Sequence, residues 1–405
     1  MYTSRAASIA DTESSDDGAM RVAIVTESFL PQINGVVNSV LRVVDHLERT
    51  GHSAVVIAPD SEREGQRSPR LVGRRTPVHT VPSMRFPGVA SLPVGLPTPA
   101  LYRAIRDAQP DVVHLASPFV VGGAGAFAAR RLGVPTVAVF QTDVAGFAEA
   151  YRMELAGRAA WRYTRRIHMW CDRTLAPSSA TMDELAARGV PRLHKWARGV
   201  DTSQFSPDRR DSALRAQWGG EGRLVVGFVG RLAPEKHVER LAGLDADPGI
   251  QLVIVGDGPE RTRLSKLCPN AVFTGELRGE ELARAYASLD IFAHPGEHET
   301  FCQAIQEAMA SGLPVIGPDA GGPRDLVTSL STGFLLDPRT YETQVIEAVD
   351  ALRDPARRSA MGRAGMVAVR ARTWPAVCEE LVGHYREVLA ERRGGIGTQV
   401  TRLAG

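Results

Sequence analysis

The chain has 405 residues, and 48 Lys and Arg residues nearly balance 46 Asp and Glu residues, which leaves a formal net charge of +2. This length favours two domains, and the near-neutral charge without aromatic interleaving argues against a nucleic-acid-binding protein. Four cysteines stand far apart without C-x-x-C spacing. That spacing argues against a disulfide framework or a structural zinc site and fits a reducing cytoplasm.

The first 19 residues include the stretch DTESSDDG and lack the basic-then-apolar order of a signal peptide. We therefore expect a disordered leader at 1–19 and a cytoplasmic protein. The longest uncharged run, residues 112–129, contains a histidine, a proline and several glycines. We interpret this run as strand, glycine turn and helix rather than as a membrane-spanning segment.

Two parts of the chain begin with the same order of predicted elements. The first has a strand at 21–26, a loop at 31–35, a helix at 36–48 and a strand at 53–58. The second has a strand at 224–229, a loop at 230–235, a helix at 236–244 and a strand at 251–255. Near-continuous apolar strands that alternate with helices predict buried parallel sheets with helices on both faces. The predicted fold class is α/β, with two tandem Rossmann-like doubly wound domains facing an interdomain cleft.

The domain boundaries follow from these repeats. We place an N-terminal domain at 20–195, a linker at 196–211 and a C-terminal domain at 212–373. Residues 374–393 begin with Trp-Pro, and Pro is well tolerated in the first turn of a helix. We expect this last segment to be a helix that packs back on the N-terminal domain.

The segment VGRLAPEKH, residues 229–237, has the composition of a diphosphate clamp. Gly230 ends a predicted strand, while Arg231 and Lys236 flank the turn into a predicted helix. Arginine can bind two phosphate oxygens at once, lysine supplies a compact charge, and a helix start adds N–H donors. Lysine is also rare in this chain, which contains only three. Two ordinary surface cations are the alternative interpretation.

The stretch HETFCQAIQEAMASGLPV, residues 298–315, contains Glu299 and Glu307 in a predicted helical region. Eight positions span about 12 Å of helix, whereas the two carboxylates of a retaining glycosidase lie about 5 Å apart. The two acids are therefore better placed to bind the two ends of one long ligand. Between them, the N–H groups of Phe301, Cys302 and Gln303 at a helix start suit an anion. A sugar nucleotide has this layout; a capping Glu299 with an unrelated Glu307 is the alternative.

Three loops after predicted strands are weaker candidates for ligand contacts. Gly35 in PQINGVV can bring its N–H close to a phosphate or a sugar, because glycine permits close backbone approach. Asp257 in VGDGPE is placed to accept hydrogen bonds from a nucleotide base. The loop GPDAGGPRDL, residues 317–326, is predicted to line the cleft. Ordinary structural turns are the alternative for each.

The N-terminal half contributes candidates for the opposite wall of the cleft. Gln141, Thr142 and Asp143 in VFQTDVAGF lie at the carboxyl end of a predicted strand. His114 in DVVHLASP also lies near a strand end. A histidine there can serve proton transfer or be a structurally satisfied side chain.

Two further motifs point to other chemistry. Residues 123–128, GAGAFA, match the G-x-G-x-x-A dinucleotide fingerprint and precede Asp143, but the match does not directly follow its strand in the first β-α-β unit. Asp245 and Asp247 form the D-x-D spacing that some glycosyltransferases use for a divalent metal. They lie before a predicted strand, on the wrong side of the sheet for the cleft, and the basic pair at Arg231 and Lys236 can neutralise a diphosphate without a metal.

The tandem doubly wound domains, the G-R-x-x-x-E-K motif at 230–236 and the E-x7-E motif from Glu299 to Glu307 resemble the retaining GT-B glycosyltransferases of family 4. The resemblance covers nearly the whole chain from Met20. Within that family, the runs VTESFLPQINGVVNSV, HLASP, QTDVAGF, GRLAPEKHV and GEHETFCQ are similar to actinobacterial α-mannosyltransferases that use GDP-mannose and act on membrane glycolipids. The resemblance implies a glucuronosyl-diacylglycerol or a phosphatidylinositol mannoside-like lipid as acceptor.

The resemblance also implies roles for the C-terminal candidates. Arg231 and Lys236 would bind the diphosphate and stabilise the leaving nucleotide, and Glu307 would hold the ribose hydroxyls. Glu299 would hold the hydroxyls of the donor sugar. The donor would further contact the amides and loops at Phe301, Cys302, Gln303, Gly35, Gly230 and Asp257.

The N-terminal domain would bind the acceptor, and the C-terminal domain the donor. Many relatives have His-Thr where this chain has Gln141 and Thr142, so Asp143 is the compensating catalytic candidate. The resemblance implies neither a cofactor nor a metal.

The predicted acceptor points to a membrane surface. Residues 83–106 combine apolar, Pro-rich sequence with Arg85, Arg103 and Arg106, which suits peripheral contact with an anionic bilayer at the inner face of the plasma membrane. A loop folded against its own domain is the alternative for this stretch.

Several other functions share part of this pattern. A UDP-sugar-dependent glycosyltransferase or a sugar-nucleotide 2-epimerase would have the same architecture, and the epimerase would need no acceptor lipid. An NAD-dependent oxidoreductase would use residues 123–128 but would leave Arg231, Lys236, Glu299 and Glu307 without a role. A non-catalytic nucleotide-binding module would leave these residues dispensable.

Overall fold

The computed structural model describes residues 18–31, 34–60, 74–85, 93–141, 154–220 and 222–403. Two predicted site residues, Thr142 and Asp143, lie outside these ranges. So do residues 86–92 of the stretch predicted to touch a membrane.

The first sheet contains seven parallel strands in the order β3-β2-β1-β6-β7-β8-β9, and β4 and β5 form a separate antiparallel pair. Their bounds are Arg21–Val25 (β1), Ser53–Pro59 (β2), Val78–Val81 (β3), Ser83–Arg85 (β4), Pro93–Gly95 (β5), Val112–Leu115 (β6), Thr136–Val139 (β7), Arg173–Ala176 (β8) and Leu193–Lys195 (β9). The central strands are buried along their whole length because helices cover both faces of the sheet.

The second sheet contains six parallel strands in the order β12-β11-β10-β13-β14-β15. Their bounds are Leu224–Val229 (β10), Ile250–Val255 (β11), Val272–Gly275 (β12), Ile291–Ala293 (β13), Val315–Pro318 (β14) and Gly333–Leu336 (β15). In both sheets, the first strand lies in the middle, the next strands extend to one edge, and the later strands add on the other side of the first. This is the doubly wound order of a Rossmann-like domain, and it confirms the predicted fold class.

Helices cover the two sheets. In the N-terminal part they are Gly35–Arg49 (α1), Pro99–Ala108 (α2), Val120–Leu132 (α3), Glu154–Trp170 (α4) and Ser179–Ala187 (α5). In the C-terminal part they are Ser212–Gly219 (α6), Ala242–Asp245 (α7), Arg261–Leu267 (α8), Gly279–Ala287 (α9), Gln303–Ala310 (α10), Pro323–Leu326 (α11), Tyr341–Ala351 (α12), Pro355–Val369 (α13) and Trp374–Leu403 (α14). No helix in the described ranges is both long and apolar enough to cross a bilayer.

Helix α1 shows how local sequence sets an element at the cleft. The Asn34 side chain accepts hydrogen bonds from the N–H groups of Val36 and Val37, each at 3.0 Å. This N-cap satisfies two of the donors that a helix start leaves unpaired. Valines on one face of the helix are buried against the first sheet. The loop after β1 therefore leads directly into a fixed helix start.

The prediction of a helix at 236–244 is wrong about the type of helix. The structure has 3-10 turns at Pro234–Lys236 and Val238–Leu241, followed by one α-helical turn at α7. The buried apolar side chains of this segment, Val238, Leu241 and Leu244, are spaced by three residues. This spacing matches the three residues per turn of a 3-10 helix rather than 3.6.

The last helix, α14, packs on the first sheet. Five of its buried apolar side chains belong to the same core cluster as residues of β1 and α1: Val377, Leu381, Val382, Tyr385 and Val388. Trp196, just before the C-terminal part, donates its indole N–H to the Val377 carbonyl oxygen at 2.8 Å. The chain therefore returns from the second sheet to complete the core of the first.

Candidate active site

The topology places the carboxyl ends of the strands of each sheet at the cleft. In a doubly wound sheet, the crevice forms where neighbouring strands connect in opposite directions. In the second sheet these strands are β10 and β13, which pair directly. Lys236 follows β10 and Glu299 follows β13. Two residues 63 positions apart in sequence are thereby brought into contact.

Lys236, Glu299 and His294 form a connected polar group at this crevice. Lys236 Nζ donates a hydrogen bond to Glu299 Oε1. His294 Nε2 lies 3.2 Å from the same oxygen, and the His294 ring stacks on Phe228 of β10 with 5.6 Å between centroids. The Lys236 and Glu299 side chains are 22% and 18% exposed. They are shielded from bulk water but open enough to meet a ligand.

The two charges stabilise each other's ionised form. Burial alone would raise the pKa of Glu299, but Lys236 and His294 hold it at about 2. Burial lowers the pKa of Lys236, but the charge of Glu299 outweighs this effect and leaves the pKa raised. Both groups are therefore charged at neutral pH.

The start of α10 offers backbone donors beside this group. Cys302 adopts a left-handed conformation with φ 71° and precedes the helix, and its side chain makes no capping hydrogen bond. Within the described ranges, the N–H groups of Phe301, Cys302 and Gln303 donate to no protein acceptor. Three free donors at the positive end of a helix suit an anion.

Glu307 lies one helical turn beyond these amides, on α10. Burial raises its pKa to about 7, although the nearby Tyr286 hydroxyl and Gln303 side chain favour the carboxylate. A group with this pKa changes charge near physiological pH. Glu299 and Glu307 thus differ in protonation although they belong to the same motif.

The remaining C-terminal candidates are more exposed. Arg231 is exposed just after Gly230, and its side chain makes no ion pair or hydrogen bond with any described residue. Asp257 follows β11, its side chain is 59% exposed, and its carboxylate lies 3.6 Å from Arg261. The Asp257 carboxylate also accepts from the Gly258 N–H at 2.7 Å, so of the two side chains only that of Arg231 is without a partner among the described residues.

The predicted cleft loop at 317–326 packs tightly on the segment that carries Glu299. Gly322 donates its N–H to the Glu299 carbonyl oxygen at 2.7 Å. A Cβ added at Gly322 would lie 2.4 Å from the Phe301 carbonyl oxygen. Only glycine permits this approach, so the loop acts as a support for the amides of α10.

Gln141 of the N-terminal domain contacts the loop that carries Glu299. Its side-chain amide donates to the Ala116 carbonyl oxygen at 2.6 Å. Its backbone carbonyl oxygen accepts a hydrogen bond from the Thr300 hydroxyl at 3.5 Å. Gln141 is therefore next to the loop that carries Glu299.

His114 is not brought to this group. It is 1% exposed, its Nδ1 lies 2.6 Å from the Tyr385 hydroxyl of α14, and burial lowers its pKa to about 3. These contacts fit the structural interpretation of His114 rather than a role at the cleft.

Arg198 joins the site although the sequence analysis did not select it. It donates from Nη2 to the Gln141 side-chain oxygen at 2.8 Å, and Nη1 lies where a Cβ on Gly35 would come within 2.7 Å. Burial lowers its pKa to about 10, and within the described residues it makes no salt bridge. Its position after β9 gave no signal in the sequence. His294 was missed for the same reason, because a single histidine after a short strand has no recognisable pattern.

The described residues contain two groups of side chains at or near the site that could hold a metal: His237, Glu297 and His298, and His294, Glu299 and Cys302. His237, Glu297 and His298 have ligand atoms within 4.8 Å of one another. The Glu297 carboxylate already lies 3.6 Å from the Arg240 guanidinium, which competes with a cation for the same oxygen. Asp245 and Asp247 point elsewhere: they accept from Asn270 and Gly249, respectively. In the group of His294, Glu299 and Cys302, the Glu299 carboxylate is already paired with the Lys236 ammonium, which competes with a cation in the same way.

The dinucleotide-like motif lies inside a helix. Residues 123–128 belong to α3, and the start of that helix is occupied by Glu27, whose carboxylate accepts from the N–H groups of Phe119, Val121 and Gly122. A carboxylate already fills the place where a pyrophosphate would bind. The structure therefore argues against the NAD interpretation.

Comparison with known proteins agrees with this geometry. A model described as glycosyltransferase family 4 matches residues 33–204, and one described as glycosyl transferases group 1 matches residues 211–366. A GDP-mannose-dependent alpha-mannosyltransferase of Mycolicibacterium smegmatis is 60% identical over 373 residues, which is 92% of this chain and 99% of that protein. The chain belongs to glycosyltransferase family 4. The predicted resemblance is thereby confirmed.

Other family members extend the comparison. A Corynebacterium glutamicum protein of the same name is 51% identical and covers 92% of this chain and 90% of its own length. A GDP-mannose-dependent alpha-(1-6)-phosphatidylinositol dimannoside mannosyltransferase of Mycobacterium tuberculosis is 28% identical over 76% of this chain and 82% of its own.

Solved structures share the GT-B fold. HepE of Anabaena in complex with UDP and glucose superposes with a TM-score of 0.71 at 20% identity, over 91% of this chain and all of that one. Sucrose-phosphate synthase of Thermosynechococcus elongatus gives a TM-score of 0.72 at 19% identity, over 92% of this chain. These likenesses confirm the predicted GT-B fold with its two Rossmann-like domains.

Proposed function

We propose that this glycosyltransferase moves mannose from GDP-mannose to a membrane glycolipid and retains the configuration of the sugar. The observation that carries the proposal is the Lys236–Glu299 ion pair beside three free N–H groups at the start of α10. This arrangement suits a ligand with an anionic middle and hydroxyls at its end. The names of the relatives at 51–60% identity support GDP-mannose as the donor.

We assign donor binding to the C-terminal domain, 212–373, and acceptor binding to the N-terminal domain, 20–195. Arg231 and Lys236 neutralise the diphosphate, and Glu299 accepts hydrogen bonds from hydroxyls of the mannose. Glu307 accepts hydrogen bonds from the ribose, and the base lies towards Asp257. For the acceptor we propose a glucuronosyl-diacylglycerol or a phosphatidylinositol mannoside-like lipid, in lipomannan or related glycolipid synthesis at the inner face of the membrane.

The chemistry we propose is attack on the face from which the nucleotide departs. The bond from the anomeric carbon to the phosphate oxygen breaks, and an oxocarbenium-like state forms. The oxygen of the acceptor hydroxyl then bonds to the anomeric carbon while the departing phosphate accepts the proton of that hydroxyl. Lys236 and Arg231 stabilise the negative charge that grows on the diphosphate. The proton and the electron pair both end on the phosphate, so neither a protein nucleophile nor a metal is needed.

Calorimetric titration with GDP, UDP and NAD in the presence of EDTA tests this proposal. We expect GDP to bind without a metal, UDP more weakly and NAD not at all. If UDP binds better, the donor must be reassigned, and NAD binding alone would contradict the glycosyltransferase site. A lipid extract added with GDP-mannose then distinguishes transfer from epimerisation, because an epimerase releases a changed sugar nucleotide without acceptor.

We expect Gly35→Ala to weaken GDP binding about tenfold, the order of one hydrogen bond to a charged group. The new Cβ would lie 2.7 Å from Nη1 of Arg198 and would displace that guanidinium, which we place beside the donor phosphate. Alanine also favours helix, so the melting temperature should not fall.

The matched control is Gly383→Ala on α14, where an added Cβ meets no atom within 4 Å. Equal GDP affinity for the wild type and Gly35→Ala would remove Arg198 from the donor site. Calorimetry and thermal unfolding measured on the same three proteins settle the comparison.

A further inference from the structure

One face of the N-terminal domain leaves large apolar side chains exposed. Helices α3 and α4 lie side by side, and on them Phe127, Tyr163 and Met169 are 49%, 41% and 47% exposed. They are three of eight exposed large hydrophobic side chains in the described ranges. A soluble protein rarely concentrates such side chains without a partner.

The same face is strongly basic. Among its exposed residues are six arginines: Arg130, Arg131, Arg158, Arg162, Arg165 and Arg166. The sequence of α3 contains no acid, and that of α4 contains only Glu154 at its start. In a chain with a net charge of only +2, this is a local concentration of positive charge. We call the six arginines, together with Phe127, Tyr163, Met169 and Trp170, the α3–α4 face.

The basic and apolar side chains are interleaved. Arg166 lies over the Trp170 ring at 5.4 Å, and Arg131 lies over Phe127 at 5.4 Å. Four of the arginines and Tyr163, Met169 and Trp170 line a shallow concavity of about 600 Å³. Guanidinium groups bind phosphate oxygens, and aromatic rings and methionine suit the boundary between head groups and acyl chains.

We propose that the α3–α4 face binds the phosphate head groups of an anionic lipid bilayer and holds the enzyme at the membrane surface. This inference rests on the proposed function only in that a lipid acceptor gives the enzyme a reason to bind a membrane. The positive charge and the exposed apolar side chains of the face are observed independently of that proposal. Tyr163 donates to the Phe119 carbonyl oxygen at 3.0 Å, and Phe119 follows β6 at the carboxyl edge of the first sheet. The face therefore begins beside the edge where we place the acceptor.

The stretch 83–106, which the sequence analysis selected for membrane contact, contains helix α2. In its described part, Leu101 and Ile105 are buried in the core of their own domain. Arg106 is paired with Asp107 at 2.8 Å. Leu101 and Ile105 thus pack into their own domain, which is the alternative given above for this part of the stretch.

Vesicle flotation tests the proposal with the full chain. We expect the wild type to float with phosphatidylcholine vesicles that contain phosphatidylglycerol, not with phosphatidylcholine alone, and to be released by salt. Each arginine near an anionic surface strengthens binding about fivefold, so Arg162→Gln with Arg166→Gln should weaken it about thirtyfold. The control pair Arg363→Gln with Arg370→Gln removes one exposed arginine from α13 and one from its C-cap, and should leave flotation unchanged.

Two further measurements separate this proposal from its alternatives. Lipids brominated on the acyl chain should quench Trp170, and the loss of that quenching in Trp170→Phe identifies the face that inserts. GDP titration of the Arg162→Gln/Arg166→Gln protein should match the wild type, so a failed donor assignment and a failed membrane face give different results. Flotation that is independent of anionic lipid, or lost equally in the α13 control pair, would overturn the proposal.

Discussion

Lys236→Ala is expected to lower kcat by about 100- to 1,000-fold, equivalent to about 2.7–4 kcal/mol, the usual effect of removing one preorganised donor from a developing oxyanion. The ammonium group lies at the crevice of the second sheet, where we place the departing diphosphate. Because its benefit grows as the bond breaks, kcat should fall more than KM rises. Steady-state transfer from GDP-mannose to a lipid extract measures both constants.

A fall in activity could also come from a damaged fold, because Lys236 is the cation that faces the shielded carboxylate of Glu299. The double variant Lys236→Ala/Glu299→Gln removes that unpaired charge and should recover the melting temperature without recovering kcat. Lys266→Ala on α8 is the control, since this lysine is exposed and far from the motif in sequence. Turnover near the wild-type value in Lys236→Ala would remove the lysine from the diphosphate clamp.

The sequence predicted the parts of this site that depend on the strand order. Apolar strands followed by Gly230 and by the loop before Glu299 indicate carboxyl ends of parallel strands, which meet at one edge. That reasoning brings Lys236 and Glu299 together without a structure. It cannot give their pairing, which depends on side-chain directions across β10 and β13.

The sequence could not predict the surroundings of residues that are covered by segments far away in the chain. His114 has the same pattern as a cleft histidine, but α14, about 270 positions later, covers it with Tyr385. Arg198 lies in a segment that reads only as a linker, yet the chain folds it over Gly35. Long-range contacts of this kind leave no local periodicity, so sequence patterns do not reveal them.

Glu307 gives the site a dependence on pH that can be measured in two ways. Its folded pKa is about 7, whereas an unfolded glutamate titrates near 4.5. Between these values the unfolded chain has released a proton that the folded chain still holds, so the free energy of unfolding falls as pH rises through this window. The contribution is at most about 3 kcal/mol, and Glu307→Gln should flatten that part of the urea-unfolding profile.

The stronger consequence concerns donor binding. If the carboxylate of Glu307 accepts hydrogen bonds from the ribose, only the ionised protein binds GDP well, and about one tenth of it is ionised at pH 6. GDP affinity should therefore rise about tenfold between pH 6 and pH 8. Binding at pH 7 should release about half a proton per GDP, which calorimetry detects in buffers of different ionisation enthalpy.

Two controls isolate Glu307 from the phosphate of GDP, which also titrates near pH 6. Glu307→Gln should bind GDP more weakly at pH 8 but lose the extra pH dependence, and 2′,3′-dideoxy-GDP should remove the same dependence in the wild type because its ribose offers no hydroxyls. If the wild type and Glu307→Gln keep identical pH profiles, the carboxylate does not bind the ribose. In that case the raised pKa of Glu307 is a property of its burial on α10, and the hydroxyl-binding role must move to another residue of the crevice.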